Sequence, residues 1–396
     1  MKAVLHNIGY RLAAILLGLC TLFGASTAWF RADQTDWKTN YTYVFVHGLS
    51  GWGSYDSTYK LLPYWGMFGG DLLQYLGDKG FHAVCASVSP RGSAWDRACE
   101  LYAELTGTRV DYGKAHSERC GHARFGEDYT GRALVKAFSE RDKISLLGHS
   151  FGGATVRLFA SVMEQGSAEE RAATPAEELS DYFKGGKGSW IHSLTALAAP
   201  HNGTTAYSDE DASEQLAEAE KEIPPLEKKL QEIMSRTNSQ KTGDRIEEDY
   251  ADYDMYIDHA LTLNKTILTL PETYYFSIPC SCSEQQPDGT WSPINSKMEL
   301  MFRSSSRLIG QYTGVTRGGY VIDESWLEND GLVNTISAKA PFGAPQKDFD
   351  PASVQPGVWN ILPVYQGDHM SLQGGLFKTN DIKELYLEHL SMINAL

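Results

Sequence analysis

Positive charge is scarce in this chain. Its 35 Lys and Arg stand against 50 Asp and Glu, a net charge of −15. Such a surface repels phosphates, which argues against a nucleic-acid partner and says nothing against a neutral ester or lipid. Cysteine is sparse too. Beyond Cys20 there are only Cys85, Cys99, Cys120, Cys280 and Cys282. An odd set cannot pair completely within one chain, so one or two disulfides are open to an exported protein, with no pairing fixed by spacing, while Cys85 in its strand-like run reads as a buried free thiol. No internal repeat or long disordered tract breaks the 396 residues, 42% of them apolar. That is enough for one large α/β domain, or two small ones, with a sizeable core.

Long uncharged runs are missing except at the start. There a weakly basic stretch to Arg11 precedes an apolar Leu12–Gly24, followed by Ala25-Ser26-Thr27-Ala28. This is the pattern of a secretory signal peptide over residues 1–28, cleaved after Ala28. Because the uncharged stretch continues to Phe30, an uncleaved anchor is the alternative. Leu19 before Cys20 argues against lipidation, which needs a small residue there. The expected product is an exported single domain over residues 29–396, with insertions at about 93–126 and 208–248.

Short apolar strands are expected at Tyr41–Val46, His82–Val88, Lys143–Leu147, Ser193–Ala199, Tyr274–Ile278 and Ile361–Tyr365, with another strand-like run at Leu332–Ile336. Helical patterns lie at Asp71–Gly80, Gly131–Glu140 and Asp381–Leu396. Alternation of this kind predicts a mostly parallel sheet with helices on both faces and a ligand site at the carboxyl ends of the strands. The first insertion carries aromatics, Cys, His and Asp. The second is dominated by Glu, Lys and Gln, and Leu226, Leu230, Ile233 and Met234 recur at helical spacing. It suits a mobile cap and a solvated surface helix equally well.

Ser150 stands in Gly148-His149-Ser150-Phe151-Gly152, between a buried strand and a helix-compatible stretch. A serine nucleophile needs this sharp turn, and the flanking glycines remove side chains that would collide in it. The Phe151 N–H then opens a helix facing a developing oxyanion. A second donor is expected from the loop after the first strand, where His47-Gly48-Leu49 offers the Leu49 N–H. The general base must follow Ser150 in the chain. His192 and His201 come too early, and His389 lies within a helix. His369, in a glycine-containing loop after a strand, is the best placed. For the orienting acid, Asp323, Glu324, Glu328, Asp330, Asp348 and Asp350 all remain open. Asp96, His116 and His122 cluster in the first insertion and suggest a metal site. Cys120, Asp244, Asp249 and Asp252 are candidates for a fourth ligand. Four protein ligands with no open position would make the metal structural.

Longer stretches carry a resemblance. They include Val46–Gly53, Trp95–Glu100, Val110–Gly113, Gly121–Gly126, Ala199–Thr205 and Trp326–Gly331. Through these the chain resembles the zinc-containing thermoalkalophilic bacterial triacylglycerol lipases, which have the α/β-hydrolase fold. The resemblance implies a Ser150–His369–Asp330 triad and an oxyanion hole of Leu49 and Phe151. It also implies structural zinc on Asp96, His116, His122 and Asp249. Ser371 occupies a position where the family has a calcium-binding Glu, so calcium is not expected. Phe151 replaces the family's Gln, and Cys120 replaces a family residue beside the zinc ligands. The shorter, charged second insertion keeps a short-chain or polyester-type esterase open beside the lipase reading. Ester or lipid is the expected substrate, met at a lipid–water interface in the lipase case. A surface binding protein without turnover, or an acyltransferase, would be a different class. The oligomeric state is not legible.

Overall fold

Between Thr42 and Val46 the side chains alternate. Tyr43 and Phe45 join one buried cluster, while Val44 and Val46 join another. This period of two places β1 (Thr42–Val46) inside a sheet covered on both faces. In the computed structural model, which describes residues 38–207, 246–376 and 380–396, six further strands complete that sheet. They are β2 (Ala83–Ala86), β3 (Ile144–His149), β4 (Ile191–Leu197), β5 (Tyr274–Ile278), β6 (Gln346–Asp348) and β7 (Trp359–Ile361). Their order is β6-β7-β5-β4-β3-β1-β2, and every neighbouring pair runs parallel.

Helices cover both faces. On the face of Tyr43 and Phe45 lie α1 (Leu72–Asp78) and the C-terminal α5 (Lys383–Asn394). Against Val44 and Val46 pack α2 (Ala94–Thr106) and α4 (Phe151–Gln165). The short α3 (Lys114–Cys120) lies in the first insertion. Local chemistry sets the helix ends. Asp71 accepts from the Leu73 and Gln74 amides at the start of α1, and Ser93 accepts from the Asp96 amide at the start of α2. Gly107, at φ +64°, ends α2 in the left-handed conformation.

Three readings of local structure fail, one of them Ile361–Tyr365, where Ile361 ends a strand of the sheet, residues 362–364 are irregular and Tyr365–Gln366 pairs with Cys280–Ser281. Gly131–Glu140 forms turns rather than a helix. Its backbone bonds leave the segment, Leu134 N–H to the Glu104 carbonyl and Arg132 N–H to that of Tyr129, while Leu134 and Val135 are the apolar anchors. Leu332–Ile336 is no strand. The Asp330 carboxylate takes the Leu332 and Val333 amides, and a short helix, Thr335–Lys339, begins at once. No disulfide forms among the described residues. Cys85 and Cys99 are buried on opposite faces of the sheet. Residues 1–28 and 208–245 of the second insertion lie outside the described residues. Among those described, no helix is long and apolar enough to cross a membrane.

Candidate active site

The sharp turn expected after β3 is present. Ser150 has φ 55° and ψ −129°, a conformation an L-residue adopts only when its surroundings enforce it. Glycines make it feasible. A Cβ on Gly152 would lie 2.3 Å from the Val46 carbonyl oxygen, and one on Gly148 would lie 2.4 Å from that of Gly152. The turn brings Ser150 to His369, which arrives from the loop after Tyr365–Gln366. The Ser150 hydroxyl donates to His369 Nε2 at 2.7 Å, and His369 Nδ1–H donates to Asp330 Oδ2 at 2.8 Å.

All three residues are buried. The other Asp330 oxygen accepts from the Leu332 and Val333 amides at 3.0 and 2.8 Å, and the Asp330 carbonyl accepts from the His369 amide at 2.9 Å. Acid and base are thus bonded through main chain as well as side chain. The rival acids have other duties: Asp323 and Asp350 hold exposed turns at Ser325 and Ser353.

Phe151 is fully buried at the head of α4, directly after the serine. Leu49 follows β1 beside it, in a loop that passes so close that a Cβ on Gly48 would sit 2.8 Å from Ser150 Cβ. Three polar residues here escaped the sequence reading. His149 Nε2–H donates to the His369 carbonyl at 2.8 Å, and Tyr64 OH lies 2.7 Å from His149 Nδ1. Burial, with His369 adding to it, pushes His149 down to about 3 and keeps the imidazole neutral. Arg97 reaches the carbonyls of His47 and Gly48. The signals were weak. His149 is the unspecified residue of the elbow motif, and Arg97 only follows a candidate metal ligand.

A second cluster lies at the start of α2. His116 Nε2 stands 3.1 Å from Asp96 Oδ1 and 3.2 Å from Asp249 Oδ1. His122 Nε2 stands 3.8 Å from Asp96 Oδ1 and 3.4 Å from Asp249 Oδ2. Asp96, His116 and Asp249 are buried. His122 Nδ1–H donates to the Ala123 carbonyl at 2.9 Å, which turns the Nε2 lone pair toward the carboxylates.

The donor set fits a divalent ion. Two carboxylates neutralise it, and a tetrahedron with bonds of 2.0–2.2 Å has edges of about 3.3 Å. Cys120 also belongs to the cluster, since donor atoms of His116, Cys120, His122 and Asp249 all lie within 4.8 Å of one another. Its sulfur, however, faces His116 Nδ1 at 3.7 Å, the side of the ring away from both carboxylates. In the set containing Asp96 the four His–carboxylate distances, 3.1 to 3.8 Å, all lie near that edge length. Of the other candidates, Asp252 pairs with Arg91, and Asp244 lies outside the described residues.

Comparison with known proteins gives a consistent picture. A family described as "Lipase-like, C-terminal domain" matches residues 39–221. Lipase 2 of Staphylococcus aureus is 31% identical over 373 residues, covering 87% of this chain and 52% of the relative, so the chain spans about half the length of that lipase. EstA from Clostridium botulinum superposes with a TM-score of 0.76 at 29% identity, covering 92% of this chain and 90% of its own. Lipase 1 from Pelosinus fermentans superposes with a TM-score of 0.71 at 32% identity, covering 89% and 99%.

Proposed function

Because the chain belongs to the family of bacterial lipases that contains these relatives, we propose that it is an exported serine hydrolase of carboxylic esters, acting on triacylglycerols. The observation that carries the reading is the continuous buried path from the Ser150 hydroxyl through His369 to Asp330, at 2.7 and 2.8 Å. His369 takes the serine proton as Ser150 Oγ bonds to the ester carbonyl carbon. The amides of Leu49 and Phe151 hold the oxyanion that forms. Asp330 fixes the Nδ1–H tautomer and faces the imidazolium. Collapse of the tetrahedral intermediate breaks the ester C–O bond, and His369 returns the proton to the departing alcohol. Water, deprotonated by the same histidine, then releases the acid from the acyl-serine.

Asp96, His116, His122 and Asp249 would hold a structural Zn²⁺. Bound there, the ion ties the first insertion to the segment after the second, and the hydrolytic steps do not pass through it.

The test compares wild type with Ser150→Ala on emulsified long-chain triacylglycerol and on a soluble butyrate ester. Serine-dependent hydrolysis of the emulsion is expected. Activity on the soluble ester alone would make the protein an esterase on a lipase scaffold, the reading that the charged second insertion favours. No serine-dependent activity on either would leave a binding protein.

A further inference from the structure

Gly48 has to be a glycine, because a Cβ there would press on Ser150 at 2.8 Å. The same residue gives the oxyanion loop its greatest backbone freedom, at the peptide that carries the Leu49 amide. Something outside the loop must therefore fix that peptide.

Buried side chains grip both peptide units around Gly48. In the first, the His47 carbonyl accepts from Arg97 Nη2, while the Gly48 N–H donates to Tyr64 OH at 3.1 Å on the opposite side. In the second, the Gly48 carbonyl accepts from His47 Nδ1–H at 2.8 Å and from Arg97 Nη1 at 3.5 Å. No cis peptide occurs among the described residues, and in a trans unit the C=O and N–H point in opposite directions. Holding the Gly48 carbonyl therefore aims the Leu49 N–H the other way. Among the described residues that amide alone, of the four groups in the two units, has no hydrogen bond.

The grip is built to last. Arg97 and His47 are fully buried, and Tyr64 is nearly so. The Arg97 guanidinium also lies over the Phe151 ring, 5.0 Å from its centroid, and so touches the residue that carries the other oxyanion amide. Tyr64 cannot turn away. His149 donates to the His369 carbonyl through Nε2, so its Nδ1 lone pair must accept the Tyr64 O–H. The Tyr64 oxygen is left to accept from Gly48. One directional chain thus joins the loop of the general base to the loop of the oxyanion donor.

We propose that Arg97 is the positioning residue of the oxyanion hole, holding the His47 and Gly48 carbonyls so that the Leu49 amide stays directed at the reacting carbonyl of the substrate. It rests on the serine-hydrolase reading. A lysine carries one ammonium in place of the planar fork and cannot hold both carbonyls in this geometry.

The test measures Arg97→Lys and Tyr64→Phe beside wild type, with each activity normalised to serines titrated by a fluorophosphonate. For Arg97→Lys, kcat per titrated serine for a soluble butyrate ester falls about 100-fold, as expected when one oxyanion donor is lost, while KM changes little. The inhibition constant of a trifluoromethyl ketone, which forms the tetrahedral adduct, rises in parallel. Tyr64→Phe gives a smaller loss of the same kind and decides the matter if Arg97→Lys does not fold.

The proposal is overturned if kcat per titrated serine and ketone affinity are unchanged in the variants, or if only melting temperature or the number of titratable serines falls. Failure of the underlying reading looks different. In that case wild type itself neither takes the fluorophosphonate at Ser150 nor turns over the ester.

Discussion

At the scale of single residues, the site depends on which hydrogen bonds have only one direction. Asp330 accepts two backbone amides on one oxygen and the His369 Nδ1–H on the other. In Asp330→Asn the amides can still bond to the side-chain oxygen, but the amide group then faces Nδ1 and favours the wrong tautomer. Turnover should fall on the order of 10³- to 10⁴-fold with KM little changed, which steady-state kinetics will show. Ser150 was legible from its motif, and His369 from chain order. Asp330 was one of six acids until the Trp326–Gly331 stretch distinguished it. His149, Tyr64 and Arg97 were not legible, since their roles lie in contacts with carbonyls and amides distant in sequence, and no local pattern encodes those.

At the scale of elements, the start of α2 joins two functions. Ser93 Oγ accepts from the Asp96 amide as a helix cap and donates to Asp249 Oδ1 at 2.9 Å. Ser93→Ala removes both bonds at once. Denaturant unfolding should show a loss of about 1 kcal/mol from the cap, and zinc affinity, read by competition with a chromogenic chelator, should fall about 10-fold as an orienting partner of the ligand is lost. An unchanged zinc affinity would show that Asp249 is positioned without Ser93.

Five strands of the sheet were legible because a strand buried on both faces is an unbroken apolar run, whereas the polar edge strand Gln346–Asp348 left no such run and Trp359–Ile361 was placed two residues too late. Two of the misread segments share a cause. Gly131–Glu140 and Leu332–Ile336 have suitable residues for a helix and a strand, but their amides are taken by Glu104, Tyr129 and Asp330. A partner outside the helix or strand ladder, near in sequence at Tyr129 and Asp330 and distant at Glu104, overrides the propensity of these segments.

At the scale of the whole molecule, burial of acids sets the response to pH. Glu104, fully buried, shares the single Ser87 N–H between its two oxygens, and burial pushes its pKa up to about 8. Glu100, under the same desolvation, is pushed up to about 7. Both folded values lie above the unfolded value near 4.5, so the folded chain holds protons the unfolded chain releases. Their stabilising contribution is full below about pH 4.5 and is lost as the pH rises through 7 and 8. The melting temperature should therefore fall as the pH rises from about 5 to 8, and Glu104→Gln, which keeps an acceptor for Ser87 without titrating, should flatten that slope. A chelator should also lower the melting temperature of zinc-loaded protein, and Asp96→Ala should abolish that difference. Equal melting temperatures with and without chelator would remove the structural role assigned to the ion.

The central claim is that Ser150 is a nucleophile activated by His369 and Asp330. Mass spectrometry of the protein treated with a fluorophosphonate tests it most directly. The account predicts one adduct, on the peptide containing Ser150, absent in Ser150→Ala and formed far more slowly in Asp330→Asn. No adduct on native protein, or an adduct that persists in Ser150→Ala, would contradict it.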